Sequence, residues 1–192
     1  GCPVHMAAMH FAAQASIKKY GKENLHPGDV VILNDPFEGG THIPDTTFTM
    51  PIYRGVDLLG FAVSRGHWQD LGGGAAGGQS FGTHIAGEGL RIPPTKLFEG
   101  YEINRDLLDL IKNNTRCPEY IEGDVQAHMG ALKVAEQEFN RAVDRYGLTV
   151  VEIAMRELIA YTNRISRGRI QAIPDGEYKI DDFVDTDGFS TE

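Results

Sequence analysis

What constrains this chain most is the stretch from Gly28 to Gly78, where an apolar run, Val30-Val31-Ile32-Leu33, gives way to a segment that no regular element can hold. That segment is Asn34-Asp35-Pro36-Phe37-Glu38-Gly39-Gly40-Thr41-His42-Ile43-Pro44-Asp45, and its glycines and prolines break helix and ladder alike. Two strand-like runs follow it. Thr46 to Tyr53 alternates, with Phe48, Met50 and Ile52 on one face and Thr47 and Thr49 on the other. Arg54-Gly55-Val56-Asp57 turns the chain, and Leu58 to Ser64 returns. The spacing predicts a β-hairpin. Such a hairpin carries the His42 loop and the run Arg65-Gly66-His67-Trp68-Gln69-Asp70 to the same end of the sheet. Two imidazoles and the Asp45 carboxylate then stand in irregular backbone beside a rigid element, which is how metal sites are commonly built.

Neutral imidazole and carboxylate suit Zn²⁺, Mn²⁺ or Fe²⁺, and three protein ligands leave positions open for water or substrate. His42, Asp45 and His67 are therefore the candidate metal ligands; loop histidines that merely hydrogen-bond backbone are the competing reading. Asp35 and Asp70 are nearby carboxylates, either further ligands, acceptors that orient an imidazole, or solvated turn residues. His84 and Glu88 lie four apart before a Pro-Pro segment. Glu88 can serve as a base, hold a substrate amide or amine, or pair with Arg91. Asp70, Glu88 and His84 form the candidate catalytic set. His5, His10, His26 and His128 are scattered over helix and turn positions and read as structural. Asp124 reads as a helix cap or as a residue facing the glycine-rich loop.

The rest of the chain supplies the cover. Pro3 to Tyr20 reads as a helix with an apolar stripe through Ala7, Phe11 and Ala15 and a stop at Gly21. Leu71 to Gly87 is rich in glycine and costly to order, which points to close approach of backbone to a ligand or a neighbouring subunit. Its Gly72-Gly73-Gly74-Ala75-Ala76-Gly77 matches G-x-G-x-x-G, but the breakers that follow exclude a dinucleotide fold, and no Gly-Lys-Ser/Thr marks an ATP site. Helices are expected over Asn104–Asn113, Pro118–Tyr146 and, from a capping box at Thr149-Val150-Val151-Glu152, to about Arg167. The last two are expected to pack as an antiparallel pair. An edge strand over Glu177–Asp185 and a turn at Asp185-Thr186-Asp187-Gly188 close the reading.

The fold class this predicts is α+β: a mixed or antiparallel sheet over residues 28–95 with its hairpin, covered by helices that include the C-terminal pair. A formal net charge of −9 opposes a nucleic-acid surface. No apolar run approaches the roughly 20 residues of a membrane span, and two cysteines make no disulfide framework, so a cytoplasmic, reduced protein is expected. The chain begins at Gly1 and stops just after a turn signal, so residues 1–192 are read as one partial domain excerpted from something longer, inactive alone.

Several of these runs resemble the hydantoinase B/oxoprolinase family. They are Asn34-Asp35-Pro36, Gly39-Gly40-Thr41-His42-Ile43-Pro44-Asp45, Gly66-His67-Trp68-Gln69-Asp70-Leu71-Gly72-Gly73 and Glu88-Gly89-Leu90-Arg91-Ile92-Pro93-Pro94. Arg116-Cys117-Pro118, Gly123-Asp124 and Ile173-Pro174-Asp175-Gly176-Glu177-Tyr178 fit the same pattern. The resemblance implies one subunit of an ATP-dependent enzyme that hydrolyses a cyclic amide such as a hydantoin, oxoproline or lactam. It equally covers the corresponding subunit of an acetone or acetophenone carboxylase, and a non-catalytic assembly subunit is the third reading. It further implies a divalent metal on His42, Asp45 and His67, a further acidic ligand upstream of Pro3 and outside this chain, and continuation beyond Glu192. ATP is then bound by a hydantoinase A-like partner subunit in a hetero-oligomer, not by this chain.

Overall fold

A computed structural model describes residues 3–78 and 83–182. The chain divides into two compact units, Gly1–Ala142 and Val143–Glu192. In the first, helix α1 (Pro3–Tyr20) leads to strand β1 (Val30–Leu33), the hairpin β2 (Asp45–Arg54) and β3 (Asp57–His67), and the short pair β4 (Thr95–Glu99) and β5 (Glu102–Ile103). Helix α2 (Arg105–Lys112) and α3 (Pro118–Tyr146) follow. The sheet is antiparallel throughout in the order β3-β2-β1-β4-β5. The fold is α+β as expected, and the sheet extends past residue 95 because β4 and β5 add to the free edge of β1.

The alternation in β2 sorts as the sequence predicts, but both faces are covered. Phe48, Met50 and Ile52 join Val30, Ile32 and Ala62 in one apolar cluster with Leu108 and Ile111 of α2 and Ile121, Val125 and Leu132 of α3. Register places Val31 against Thr49, Leu33 against Thr47, and Asp45 against His67 on the opposite face. That face meets α1, which contacts β2 and β3, so Thr47 and Thr49 are buried as well. A buried threonine costs least where its hydroxyl is bonded. Thr47 Oγ1 accepts from Arg65 Nε at 2.7 Å, whereas the Thr49 hydroxyl is buried without a hydrogen-bond partner.

The buried stripe of α1 differs from the expected one. Ala12 and Ser16 are buried whereas Phe11 lies exposed. Small residues let the helix axis approach the sheet, and a phenylalanine on that side would hold it off. Ser16 returns its hydroxyl to Ala12 O at 3.0 Å, so the buried position leaves no polar group open. α2 opens as expected, with Asn104 Oδ1 accepting from Leu107 N at 3.0 Å.

In the second unit α4 (Leu148–Gln171) and the segment after it correct two expectations. Its N-cap is Gly147, at a φ of 83° that most side chains avoid, with no side-chain cap, so Thr149 lies inside the helix instead of capping it. None of its residues is buried, and both helices of the expected pair form. Glu177–Asp182 form no strand: the polar, exposed segment finds no ladder partner among the described residues. Residues 183–185 and the turn at Asp185-Thr186-Asp187-Gly188 lie outside the described residues. Among the described residues no helix is long and apolar enough to cross a membrane.

Candidate metal centre

The loop between β1 and β2 is built by local bonds before any ligand is considered. Asp35 caps a short 3-10 turn, Pro36–Glu38, by accepting from Phe37 N at 2.9 Å. Gly39 follows at φ 96°, and a Cβ there would stand 2.6 Å from Phe11 O, so only glycine lets the loop pass under α1. Asn34 closes the loop from inside: its Nδ2 donates to Ile43 O at 2.7 Å and Leu90 O at 3.0 Å, and its Oδ1 accepts from Ile92 N at 2.6 Å. His42 is thereby delivered at the start of β2, where Asp45 already pairs with His67 across the hairpin.

The three predicted ligands therefore come together. The rings of His42 and His67 have centroids 5.1 Å apart, and His42 Nδ1 lies 3.0 Å from Asp45 Oδ2. A fourth residue joins them, one that its sequence position marks only as structural. His5, on the first turn of α1, brings Nδ1 to 2.9 Å from the same Asp45 oxygen and stacks its ring toward His42 at 6.4 Å. Thr41 Oγ1 donates to Asp45 Oδ2 at 2.6 Å. Arg65 lies alongside, bonded to Thr47 and to Gly39 O at 3.3 Å; burial pulls its guanidinium below the ordinary value while the Asp45 charge opposes that shift.

Two observations bear on whether the donor set suits a divalent ion. His5 Nδ1 is buried yet has no hydrogen-bond partner, because Asp45 lies close to it in the wrong direction for one. An orphaned buried ring nitrogen needs an explanation. Two ligands on adjacent positions of an octahedral ion, each about 2.0–2.1 Å from it, stand about 2.9 Å apart. The Nδ1–Oδ2 separations of 2.9 and 3.0 Å have that spacing. Among the described residues no group of three or more His, Cys, Asp or Glu side chains is arranged so that it could hold a metal ion; Nδ1 of His5 and of His42 each lie within 3.0 Å of Asp45 Oδ2 instead.

The predicted catalytic residues lie elsewhere. Asp70 is buried and held by four donors: Gly72 N at 3.2 Å, Thr115 Oγ1 at 3.2 Å, Arg116 N at 2.5 Å and Arg116 Nη1 at 2.8 Å. Burial pushes its carboxyl up, but those bonds and the Arg116 charge outweigh it and hold it below the usual carboxylate range. This geometry ties the glycine-rich loop to the start of α3 and leaves Asp70 little freedom to act on a substrate. His84 opens a 3-10 turn, accepting from Ala86 N at 3.2 Å, and lines a separate cavity of about 500 Å³ with Gly72, Gly73 and Arg91. Glu88 ends that turn, its N–H donating to Ile85 O at 3.0 Å. Asp35 pairs with Arg91 at 3.3 Å.

On the other face of the hairpin, His128 of α3 is buried against Phe48, ring on ring at 4.2 Å and 9°. Trp68 Nε1 can only donate, so His128 Nε2 accepts from it at 3.4 Å. The ring proton is then on Nδ1, which donates to Ser64 Oγ at 2.9 Å. Burial pushes this imidazole down from 6.5 to about 4. Because the folded value lies below the unfolded one, the unfolded chain takes the proton first. The contribution of His128 is complete above pH 6.5 and is lost as pH falls toward 4, by about 3 kcal/mol in all. Urea unfolding at pH 7 and pH 4.5 measures it. His128→Gln, which can make both bonds without titrating, is expected to flatten the difference; an undiminished slope in that variant refutes the assignment.

Comparison with known proteins returns the same pattern. The sequence profile described as hydantoinase B/oxoprolinase matches residues 1–192. The chain is 32% identical over 165 residues to a putative D-/L-hydantoinase component of Pseudomonas sp. (strain NS671), covering 85% of this chain and 28% of that protein. The crystal structure of the ATP-dependent caprolactamase from Pseudomonas jessenii superposes with a TM-score of 0.81 at 34% identity, covering 91% of this chain and 30% of that one. A nucleotide-free acetone carboxylase shares the fold, with a TM-score of 0.68 at 20% identity over 76% of this chain and 20% of that one. The chain thus spans under a third of the length of the proteins it matches.

Proposed function

The chain belongs to the hydantoinase B/oxoprolinase family, and on that premise we propose that it is the metal-bearing part of a subunit of an ATP-dependent enzyme that hydrolyses a cyclic amide. The observation that carries the proposal is the meeting of His42, Asp45 and His67 at one end of the hairpin, with the orphaned Nδ1 of His5 beside them. The relatives named for a hydantoinase and a caprolactamase support the amide class.

The chemistry such a site would supply, with a divalent ion held there, is polarisation of a carbonyl and a water nucleophile usable near neutral pH. His42, Asp45 and His67 are the residues to hold it, with His5 as a further donor. Thr41 fixes the Asp45 carboxylate by its 2.6 Å bond, and Arg65 balances its charge from the half-buried side. The strand ends give the ligands a stiff base, since Asp45 and His67 are register partners in the hairpin. ATP is assigned to a hydantoinase A-like partner subunit: transfer of its γ-phosphoryl group to the amide oxygen would release ADP, and addition of water to the carbon would then break the C–N bond and free phosphate. The corresponding role in a ketone carboxylase is the second reading, favoured by a 26% identity to an acetophenone carboxylase delta subunit of Aromatoleum aromaticum.

One preparation separates these readings: the full-length protein purified with its ATP-binding partner. Elemental analysis is expected to find about one divalent ion per chain, and ATP hydrolysis is expected to require a cyclic amide. ATP hydrolysis that needs bicarbonate and a ketone moves the protein to the carboxylase reading. A stoichiometric complex with no metal and no turnover on either substrate makes it an assembly subunit.

A further inference from the structure

At the end of β3, on the face of the hairpin that packs on α3 and away from the candidate metal centre, lies a cleft of about 220 Å³ lined by Ser64, Gly66, His67, Trp68, Asp124 and His128. A dry cavity of about 150 Å³ holds benzene, so this one has room for a five- to seven-membered ring. His67 belongs to both places: it lines the cleft and stands 5.1 Å from His42. A Cβ on Gly66 would meet His128 Nε2 at 3.0 Å, so bare backbone is what lets α3 and β3 shape this wall.

The polar groups in the cleft have assigned directions. Trp68 donates to His128, His128 donates to Ser64 Oγ, and the Ser64 hydroxyl proton is therefore left to donate to something else. Asp124 sits one helical turn before His128 on α3 and supplies an acceptor to the same cleft. Burial pushes its carboxyl up, as a partly desolvated site would. The cleft thus combines a hydroxyl donor with a carboxyl acceptor.

A cyclic amide is locked cis, so its carbonyl oxygen and its N–H lie on one edge: an acceptor and a donor side by side. A ketone offers only the acceptor. We propose that this cleft seats the amide edge of a cyclic secondary amide, Ser64 O–H donating to the carbonyl oxygen and Asp124 accepting from the N–H. This deepens the amide reading above and rests on it.

The test is binding to the full-length protein with its partner subunit, by calorimetric titration without ATP, using caprolactam and 5-oxoproline, each against its N-methyl derivative. The wild type is expected to prefer the N–H form by roughly 10- to 100-fold, the range for a hydrogen bond to a charged group. Asp124→Leu removes the acceptor at similar size and is expected to erase that preference, while Ser64→Ala weakens both forms several-fold. A preference unchanged in Asp124→Leu, or no binding of either lactam, overturns the proposal. Elemental analysis of the same samples keeps the two readings apart: a metal-free protein that still discriminates sustains the cleft and refutes the metal centre. A metal-loaded protein that does not discriminate does the reverse.

Discussion

Asn34→Leu is expected to destabilise the first unit by roughly 3–6 kcal/mol, because it leaves two buried backbone groups without partners at about 1–3 kcal/mol each and a third, half-buried one at the low end of that range. Those groups are Ile43 O, Leu90 O and Ile92 N, and Asn34 itself is fully buried. A leucine of similar volume fills the space and offers neither donor nor acceptor, so the loss is polar and not a cavity effect. Against a typical total of about 5–15 kcal/mol, a change of this size brings the unit close to unfolding. Asn34→Asp is no rescue: its oxygens still serve Ile92 N, but they face the carbonyls of Ile43 and Leu90 with no proton to give. Urea unfolding followed by tryptophan fluorescence reports it directly, since Trp68 is buried in the same unit. A loss under about 1 kcal/mol would show that Asn34 is not the tie. The same residue joins the His42 loop to the segment at Leu90–Ile92, so a variant that survives is expected to bind metal more weakly as well.

The elements that the sequence announces are the ones whose signal is local. The helix boundaries at Pro3, Tyr20, Pro118 and Tyr146 and the turn at Gly55 follow from breakers and periodicity, and the hairpin register follows from that turn. What the sequence hides is tertiary. His5 meets Asp45 only because α1 lies across β2 and β3, and no spacing in the first turn of a helix reports that. The small residues Ala12 and Ser16, spaced by four, are the one available sign of which side of α1 approaches the sheet. Asp70 invites a functional reading from its place after His67, whereas its partner Arg116 is 46 residues away. Asn34 reads as a turn residue, and its three bonds reach across nine to 58 residues. The failed capping box at Thr149 is different: Gly147 already supplies the backbone geometry for starting α4, so the box has nothing left to do.

His67→Ala in the full-length complex is expected to abolish stoichiometric metal binding and to lower turnover by more than about 100-fold, while the complex still assembles. Removing residues that only support a metal ligand already costs about 10–100-fold, so removing a ligand sets that as the lower bound. Assembly survives because the His67 side chain is exposed at the end of β3 and holds nothing in the core together. His5→Ala is the sharper companion. If His5 is a fourth donor, metal affinity drops and the absorption of a Co²⁺-substituted sample changes, since the ion loses a nitrogen ligand. If His5 only steadies Asp45, affinity falls within the roughly 10–100-fold range of a supporting residue and the Co²⁺ spectrum keeps its shape. Insolubility of His67→Ala would make that ring a structural residue, and unchanged metal content would remove it from the ligand set. Either result breaks the link between the hairpin register and the chemistry, because Asp45 and His67 are brought together by one pairing and must stand or fall as a pair.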